Sequence, residues 1–210
     1  MRVISGRVGG RRIESPPGQD LRPMMDKVRA ALFDMLWHFN AVQGRALDLY
    51  AGSGAVGIEA LSRGASFVDF VELNPVSAKT IQQNLEHLGL EKEGRVHKRK
   101  VEEVLANPKL VGHTTAYNLI TVTPPYIEVT YPDLMATIAA GPWVAEGTVV
   151  VVEHPRESDL EETIGSLVRL RERKYGRTKI SIYHMPGGDN LFNDDDLVDD
   201  GDDTDEADEE

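Results

Sequence analysis

The 210-residue chain has no cysteine, which excludes disulfides, thiolate metal sites and cysteine nucleophiles and suits a reducing compartment. No apolar run approaches the roughly 20 residues needed to cross a bilayer, so no membrane segment is expected. The first twelve residues, MRVISGRVGGRR, lack the apolar stretch of a secretory signal and read as mature protein. The six histidines (His38, His87, His97, His113, His154 and His184) show no ligand spacing, so no metal is expected and all six read as structural or surface residues. Basic residues are missing from positions 189–210, where 13 residues are acidic. The net charge of −12 therefore belongs to the tail, and the remainder carries 23 basic against 22 acidic residues. A segment this polar cannot bury itself, so 187–210 is expected to be a disordered acidic tail that solubilises the chain or competes electrostatically with a polyanion for basic surface.

What remains alternates between strand and helix signals. Asp26 is placed to cap a helix over 27–39, with Val28, Leu32, Met35, Leu36 and Phe39 on one face. ALDLY (46–50) reads as a strand, GSGAVGIEALSRG (52–64) as a glycine-rich turn entering a helix, and SFVDFVEL (66–73) as the next strand. Pro75 opens a further helix that closes at Gly89. RVHKRKV (95–101) and YNLITV (117–122) are strands with a short helix between them, and 131–141 is helical. TVVVVEH (148–154) is the uniformly β-branched run of a strand covered on both faces. LVRLRERK and TKISIYHM, separated by Tyr175-Gly176-Arg177, form a closing hairpin. The pattern predicts an α/β fold with a mainly parallel sheet. It divides into a basic N-terminal extension (1–19, with a short strand over 2–8), one domain (20–186) and the tail.

Two features suggest a nucleotide-type ligand. In DLYAGSGAVG (48–57), glycines 52, 54 and 57 let backbone approach a ligand closely at a helix N-terminus. Glu72 ends the next strand, where doubly wound folds bind ribose hydroxyls. Gly52-Ser53-Gly54 with Gly57 formally matches a dinucleotide fingerprint, but Asp48 just before it repels a pyrophosphate and suits an ammonium group. S-adenosylmethionine carries an ammonium, a ribose and a sulfonium. Thr123-Pro124-Pro125-Tyr126 then ends a buried strand with two residues that cannot continue a sheet.

MRVISG, RRIESP, RPMMDKVRAALFDML, LDLYAGSGAVGIEALSRGA, FVELNP, TPPY, VVVEHPRE and RERKYGRTKISIY follow one another in an order that resembles the RsmD-type methyltransferases. That family modifies the exocyclic N2 of a guanine in small-subunit (16S-type) ribosomal RNA. The resemblance spans residues 1 to about 186, and RPMM, DLYAGSG, VTPPY and YGRT look most like its plant plastid branch. It implies a class I methyltransferase (Rossmann-like) fold, with a seven-stranded sheet and an antiparallel C-terminal hairpin. It also implies S-adenosylmethionine as cofactor, ribosomal RNA or a small ribosomal subunit precursor as partner, and a monomer. The chloroplast stroma is the expected location, with the bacterial cytoplasm as the alternative. Cofactor binding is expected from Asp48, Tyr50, Ala51, Gly52, Ser53, Gly54, Glu72, Leu73, Asn74, Val101, Glu102 and Thr123. Catalysis is expected from Thr123, Pro124, Pro125 and Tyr126. Arg2, Arg7, Arg11, Arg12 and Arg22 are expected to meet RNA phosphates.

The chain departs from the family pattern twice. Thr123 stands where Asp or Asn commonly precedes Pro-Pro-Tyr, and Arg99-Lys100-Val101 replaces Gly-Asp-Ala, which moves the adenine contact to Glu102 or the Val101 backbone. A threonine hydroxyl is a weaker acceptor than a carboxylate, so a slower transfer step is expected. A non-catalytic RNA-binding assembly factor, a methyltransferase on adenine N6 or a glutamine amide, and a nicotinamide dehydrogenase are the competing readings.

Overall fold

A computed structural model describes residues 1–18, 24–112, 116–125 and 129–187. Eight strands form one sheet: β1 (Gly44–Leu49), β2 (Ala65–Val71), β3 (Gly94–His97), β4 (Leu119–Val122), β5 (Val149–Pro155), β6 (Thr163–Ile164), β7 (Leu167–Tyr175) and β8 (Thr178–His184). Their order is β3-β2-β1-β4-β5-β8-β7-β6. The first five are parallel, β8 runs antiparallel to β5, and β7 and β6 continue antiparallel. The two-residue β6 is one strand more than expected, and it is too short to show a period-two pattern in sequence.

Among the described residues five α-helices cover the sheet: α1 (Asp26–His38), α2 (Ala55–Arg63), α3 (Pro75–Leu88), α4 (Val101–Ala106) and α5 (Tyr131–Ala140). Successive side chains of a strand point to opposite faces, so a strand covered on both faces must be apolar at nearly every position. In β5, Val149 and Val151 join the core with α1, α2 and α3, while Val150 and Val152 join the core with α4 and α5. Each fully buried aliphatic side chain of this kind contributes about 1.5–3 kcal/mol. The helix starts follow local rules. Asn74 caps α3 by accepting from Val76 N and Ser77 N, and Pro75 sits in its first turn. Asp26 is not the cap of α1. Met25 holds that position, and Asp26 instead accepts from Arg29 Nη2 at 2.9 Å.

The first 18 residues pack onto the body. Val3 and Ile13 are buried in the same core as α1–α3. The strand expected over 2–8 is reduced to a single Arg2–Arg12 bridge around a turn, because the backbone bonds outward to α2. Ile4 N and Ser5 N donate to the Glu59 carboxylate at 2.7 and 3.0 Å, and Arg7 N donates to the Ser62 carbonyl at 2.8 Å. Arg63 Nε reaches Glu59 at 2.7 Å, and the buried Arg29 guanidinium donates to the Arg2 carbonyl at 2.6 Å. The acidic tail from residue 188 lies outside the described residues.

Strand order reverses between β1 and β4, since β2 and β3 continue to one side of β1 while β4 and β5 continue to the other. In open parallel sheets the carboxyl ends at such a reversal leave a crevice for ligands. The chain segments at that crevice are 50–54, 72–74, 98–100 and 123–125.

Candidate functional site

The glycine turn between β1 and α2 is shaped by charge from beneath. Asp48 is 1% exposed. Its Oδ2 accepts from Gly57 N at 3.0 Å and its Oδ1 from the Thr121 hydroxyl at 2.7 Å. Burial raises its pKa from 3.8 to about 6, against the lowering effect of the Thr121 and Gly57 bonds, and the neighbouring Glu72 adds to the rise. Gly57 must lack a side chain, because a Cβ there would lie 2.3 Å from Phe70 Cε1 and 2.9 Å from Asp48 Oδ2. The helix therefore sits directly on the strands, and its N-terminus opens at the crevice.

Gly52 and Gly54 adopt φ 56° and 78°. Tyr50 has φ 60°, one of two non-glycine residues with positive φ among the described residues. A conformation of that kind costs of order 1–3 kcal/mol and persists where neighbours impose it. Here the Tyr50 hydroxyl donates to Glu102 Oε1 at 2.9 Å, tying the turn to the first turn of α4. Ala51 N donates to the Val71 carbonyl at 3.1 Å, and Asn84 Nδ2 donates to the Ser53 carbonyl at 3.1 Å.

Glu72 follows β2 directly. Its two carboxylate oxygens accept from Gly52 N at 2.8 Å and Asn74 N at 2.7 Å. Burial pushes this carboxyl above its usual range, opposed by the N–H groups of Asn74, Gly52 and Leu73. Leu73 is 57% exposed, an apolar face beside the carboxylate. Val101 is buried and Glu102 exposed at the start of α4.

Thr123 extends the β1–β4 ladder by one residue, donating its N–H to the Leu49 carbonyl at 3.3 Å. Its hydroxyl donates to the Tyr50 carbonyl across a long 3.4 Å contact. A hydroxyl has one donor and two lone pairs, so this orientation leaves only lone pairs for the crevice. Pro124 is buried and Pro125 exposed. Tyr126 lies outside the described residues, as does Arg22.

The structure thus brings together Asp48, Tyr50 to Gly54, Glu72 to Asn74, Val101, Glu102 and Thr123 to Pro125 on adjoining strand ends. It does not bring the N-terminal arginines there. Arg7 pairs with Glu93, just before β3, and Arg11 donates to the carbonyls of Leu88 and His87 at the end of α3, both at the opposite edge of the sheet. Arg12 pairs with Glu14 at 3.2 Å, and Arg2 lies 3.9 Å from Asp26.

Sequence reasoning missed Thr121 as the partner of Asp48. It also missed Asp69, which is buried and accepts from Arg45 Nη2 at 2.8 Å and Tyr117 Oη at 3.0 Å, with His97 Nε2 at 2.8 Å. The signal was present in both cases as a polar residue inside an otherwise apolar buried strand. Among the described residues no group of three His, Asp or Glu side chains could hold a metal ion, and no helix is long and apolar enough to cross a membrane.

A sheet of this order, with a glycine turn after β1, an acid after β2 and Thr-Pro-Pro after β4, is that of the Rossmann-like methyltransferases. The Escherichia coli yhhF structure superposes with a TM-score of 0.75 at 27% identity, covering 89% of this chain and 98% of that one. An RNA methyltransferase from Salinibacter ruber, solved with S-adenosyl-L-homocysteine, shares the fold at a TM-score of 0.54 and 16% identity, over 81% of this chain and 99% of that one. Residues 1–184 match the family described as Conserved hypothetical protein 95, and this chain belongs to that family, the RsmD-type methyltransferases. Bacillus subtilis YlbH is 38% identical over 188 residues, 89% of this chain and 100% of the relative. Ribosomal RNA small subunit methyltransferase D of Escherichia coli K12 is 30% identical over 183 residues, 87% of this chain and 89% of the relative.

Proposed function

We propose that the chain transfers a methyl group from S-adenosylmethionine to the exocyclic N2 amine of a guanine in small-subunit (16S-type) ribosomal RNA. The observation that carries this reading is the meeting of the Gly52–Gly54 turn, Glu72 and Thr123-Pro124 at one strand reversal, in a chain with relatives named for ribosomal RNA methylation. The residues fit the cofactor. The first-turn N–H groups of Ala55 and Val56 donate to no partner among the described residues, the glycines leave room for backbone approach, and Glu72 offers a half-buried carboxylate beside the apolar Leu73. When bound, S-adenosylmethionine supplies an electrophilic methyl on a sulfonium.

The chain's own residues do the rest. Glu72 would hold the ribose hydroxyls while keeping the turn closed through Gly52 N. Asp48 is too enclosed to contact an ammonium group directly, so it acts by fixing the turn and by placing negative charge beneath it. The target amine is a poor nucleophile because its lone pair is delocalised into the purine. The Thr123 hydroxyl and the Pro124 carbonyl accept its N–H bonds, which favours pyramidal nitrogen and steadies the charge that develops on it. No described donor occupies the Pro124 carbonyl. Tyr126 follows Pro125 in sequence and is assigned to stack on the extruded base, worth about 1–3 kcal/mol. The methylated amine releases its proton to water, so no general base is required.

The reported relatives are bacterial, which supports a bacterial cytoplasm over the plastid location expected from the motifs. The test is mass mapping of nucleosides after incubation with isotopically labelled S-adenosylmethionine and small-subunit RNA, both naked and as assembled particles. Label in N2-methylguanosine is expected. Label in N6-methyladenosine, or no transfer despite cofactor binding, overturns the reading.

A further inference from the structure

The N-terminal arginines are held at the sheet edge away from the crevice, which raises the question of where a polyanion would be gripped near the reacting base. Two groups of exposed cations lie at the carboxyl edge instead. Lys98, Arg99 and Lys100 join the end of β3 to α4, and all three are exposed. Their position beside the site is set by backbone: Glu72 N donates to the His97 carbonyl at 3.1 Å, and Arg99 N turns back onto the same carbonyl at 3.0 Å. Beyond Lys100, Glu102 bonds to Tyr50 of the glycine turn.

The second group is Arg156, Lys174 and Arg177, also all exposed. Thr178 pairs with Pro155, and Arg156 N donates to the Arg177 carbonyl at 3.0 Å, so the β7–β8 turn sits against the end of β5. None of the six side chains makes an ion pair with a described residue. The neighbouring acids Glu102, Glu103 and Glu157 do not cancel them, since six cations stand against three carboxylates.

We infer that these two clusters form the RNA-docking surface, gripping backbone phosphates on either side of the base presented to Thr123 and Pro124. The inference rests on the proposed RNA methylation. From β3 to β8 is five strand positions, about 24 Å at the usual strand spacing, with β4 and its Thr-Pro-Pro turn between. A chain of net charge −12 repels RNA at long range, so capture has to come from local cation clusters of this kind.

The test uses the full chain and three sets of substitutions: Lys98→Gln/Arg99→Gln/Lys100→Gln, Arg156→Gln/Lys174→Gln/Arg177→Gln, and, at the opposite edge, Arg7→Gln/Arg11→Gln/Arg12→Gln. Binding of fluorescently labelled, in vitro transcribed small-subunit RNA is followed by anisotropy from 50 to 200 mM salt, and S-adenosylmethionine binding by calorimetry. Each carboxyl-edge set is expected to weaken RNA binding about tenfold or more and to reduce the salt slope by about 2, the value for three single-strand phosphate contacts. The Tm in scanning calorimetry stays as in the wild type in both sets, and so does cofactor affinity in the Arg156/Lys174/Arg177 set, which separates lost docking from misfolding. Wild-type RNA affinity and slope in both sets overturns the inference and leaves the surface to another polyanion, and a loss confined to the N-terminal set overturns it too. Failure of the wild type to bind cofactor or transfer methyl would sink the functional reading instead, and the RNA titrations do not depend on turnover.

Discussion

Replacing Asp48 by Asn should make the protein more stable at neutral pH and a poorer cofactor binder. The buried Asp48 carboxyl titrates near 6 against 3.8 for an exposed one. Between those values the native state keeps a proton that the unfolded chain has lost, so this residue's contribution to stability falls as pH rises through the window. A difference of about two pH units corresponds to on the order of 3 kcal/mol above pH 6. Asn has the same shape and stays neutral. Its carbonyl can accept from Gly57 N, and its amide can donate to Thr121, whose hydroxyl is free to rotate. Urea denaturation of both proteins from pH 3.5 to 8 should show near-equal stabilities at the acid end and a widening advantage for D48N across pH 4 to 6. A difference that stays flat across that range would refute the argument, because it would mean the carboxyl is not raised. Calorimetry on the same samples should show wild-type affinity for S-adenosylmethionine rising from pH 5 to 7, with D48N weaker and less pH-dependent, its remaining dependence coming from Glu72, whose carboxyl burial also raises.

Asp69 should show the opposite signature. Burial pushes its carboxyl up, but the hydrogen bonds from His97, Tyr117 and Arg45 outweigh it and hold the pKa below the usual carboxylate range. Its contribution is present above about pH 4 and is lost as pH falls through the depressed value. D69N should therefore be destabilised by about 3 kcal/mol or more at pH 7, with the gap closing in acid, measured in the same denaturation series. Gly57→Ala forces a Cβ against Phe70 and Asp48 and should cost about 1–3 kcal/mol, read as a lower Tm in calorimetry. Thr123→Asp supplies a charged acceptor beside Pro124, and since charge-assisted bonds are roughly twice as strong it should raise single-turnover methyl transfer several-fold, whereas Thr123→Val should slow it. Equal rates in all three proteins would show that residue 123 takes no part in the transfer step.

Much of the scaffold was readable from the chain because each signal is local. A strand covered on both faces has to be continuously apolar, as 149–152 is, and a turn at positive φ favours glycine, as at 52 and 54. The Asn74-Pro75 start of α3 and the Tyr175–Arg177 hairpin are legible for the same reason. What could not be read is whatever depends on which strands become neighbours. Asp48 meets Thr121 because β1 and β4 pair in register, a relation between residues 73 apart that no window of sequence contains. The same holds for the Asp69 partners, drawn from β1, β3 and the segment before β4. The N-terminal arginines look free in sequence, but the segment folds back and several find acids or carbonyls on the body.

Glu59 sits in the middle of the helix whose first turn opens at the crevice, and it holds the backbone of Ile4 and Ser5. Ile4 lies 55 positions before its partner, so that contact forms only once α2 has been made. A protein lacking Ile4 and Ser5 would carry a loosened α2, so weak cofactor binding in such a preparation would report on those lost contacts and not on the glycine turn.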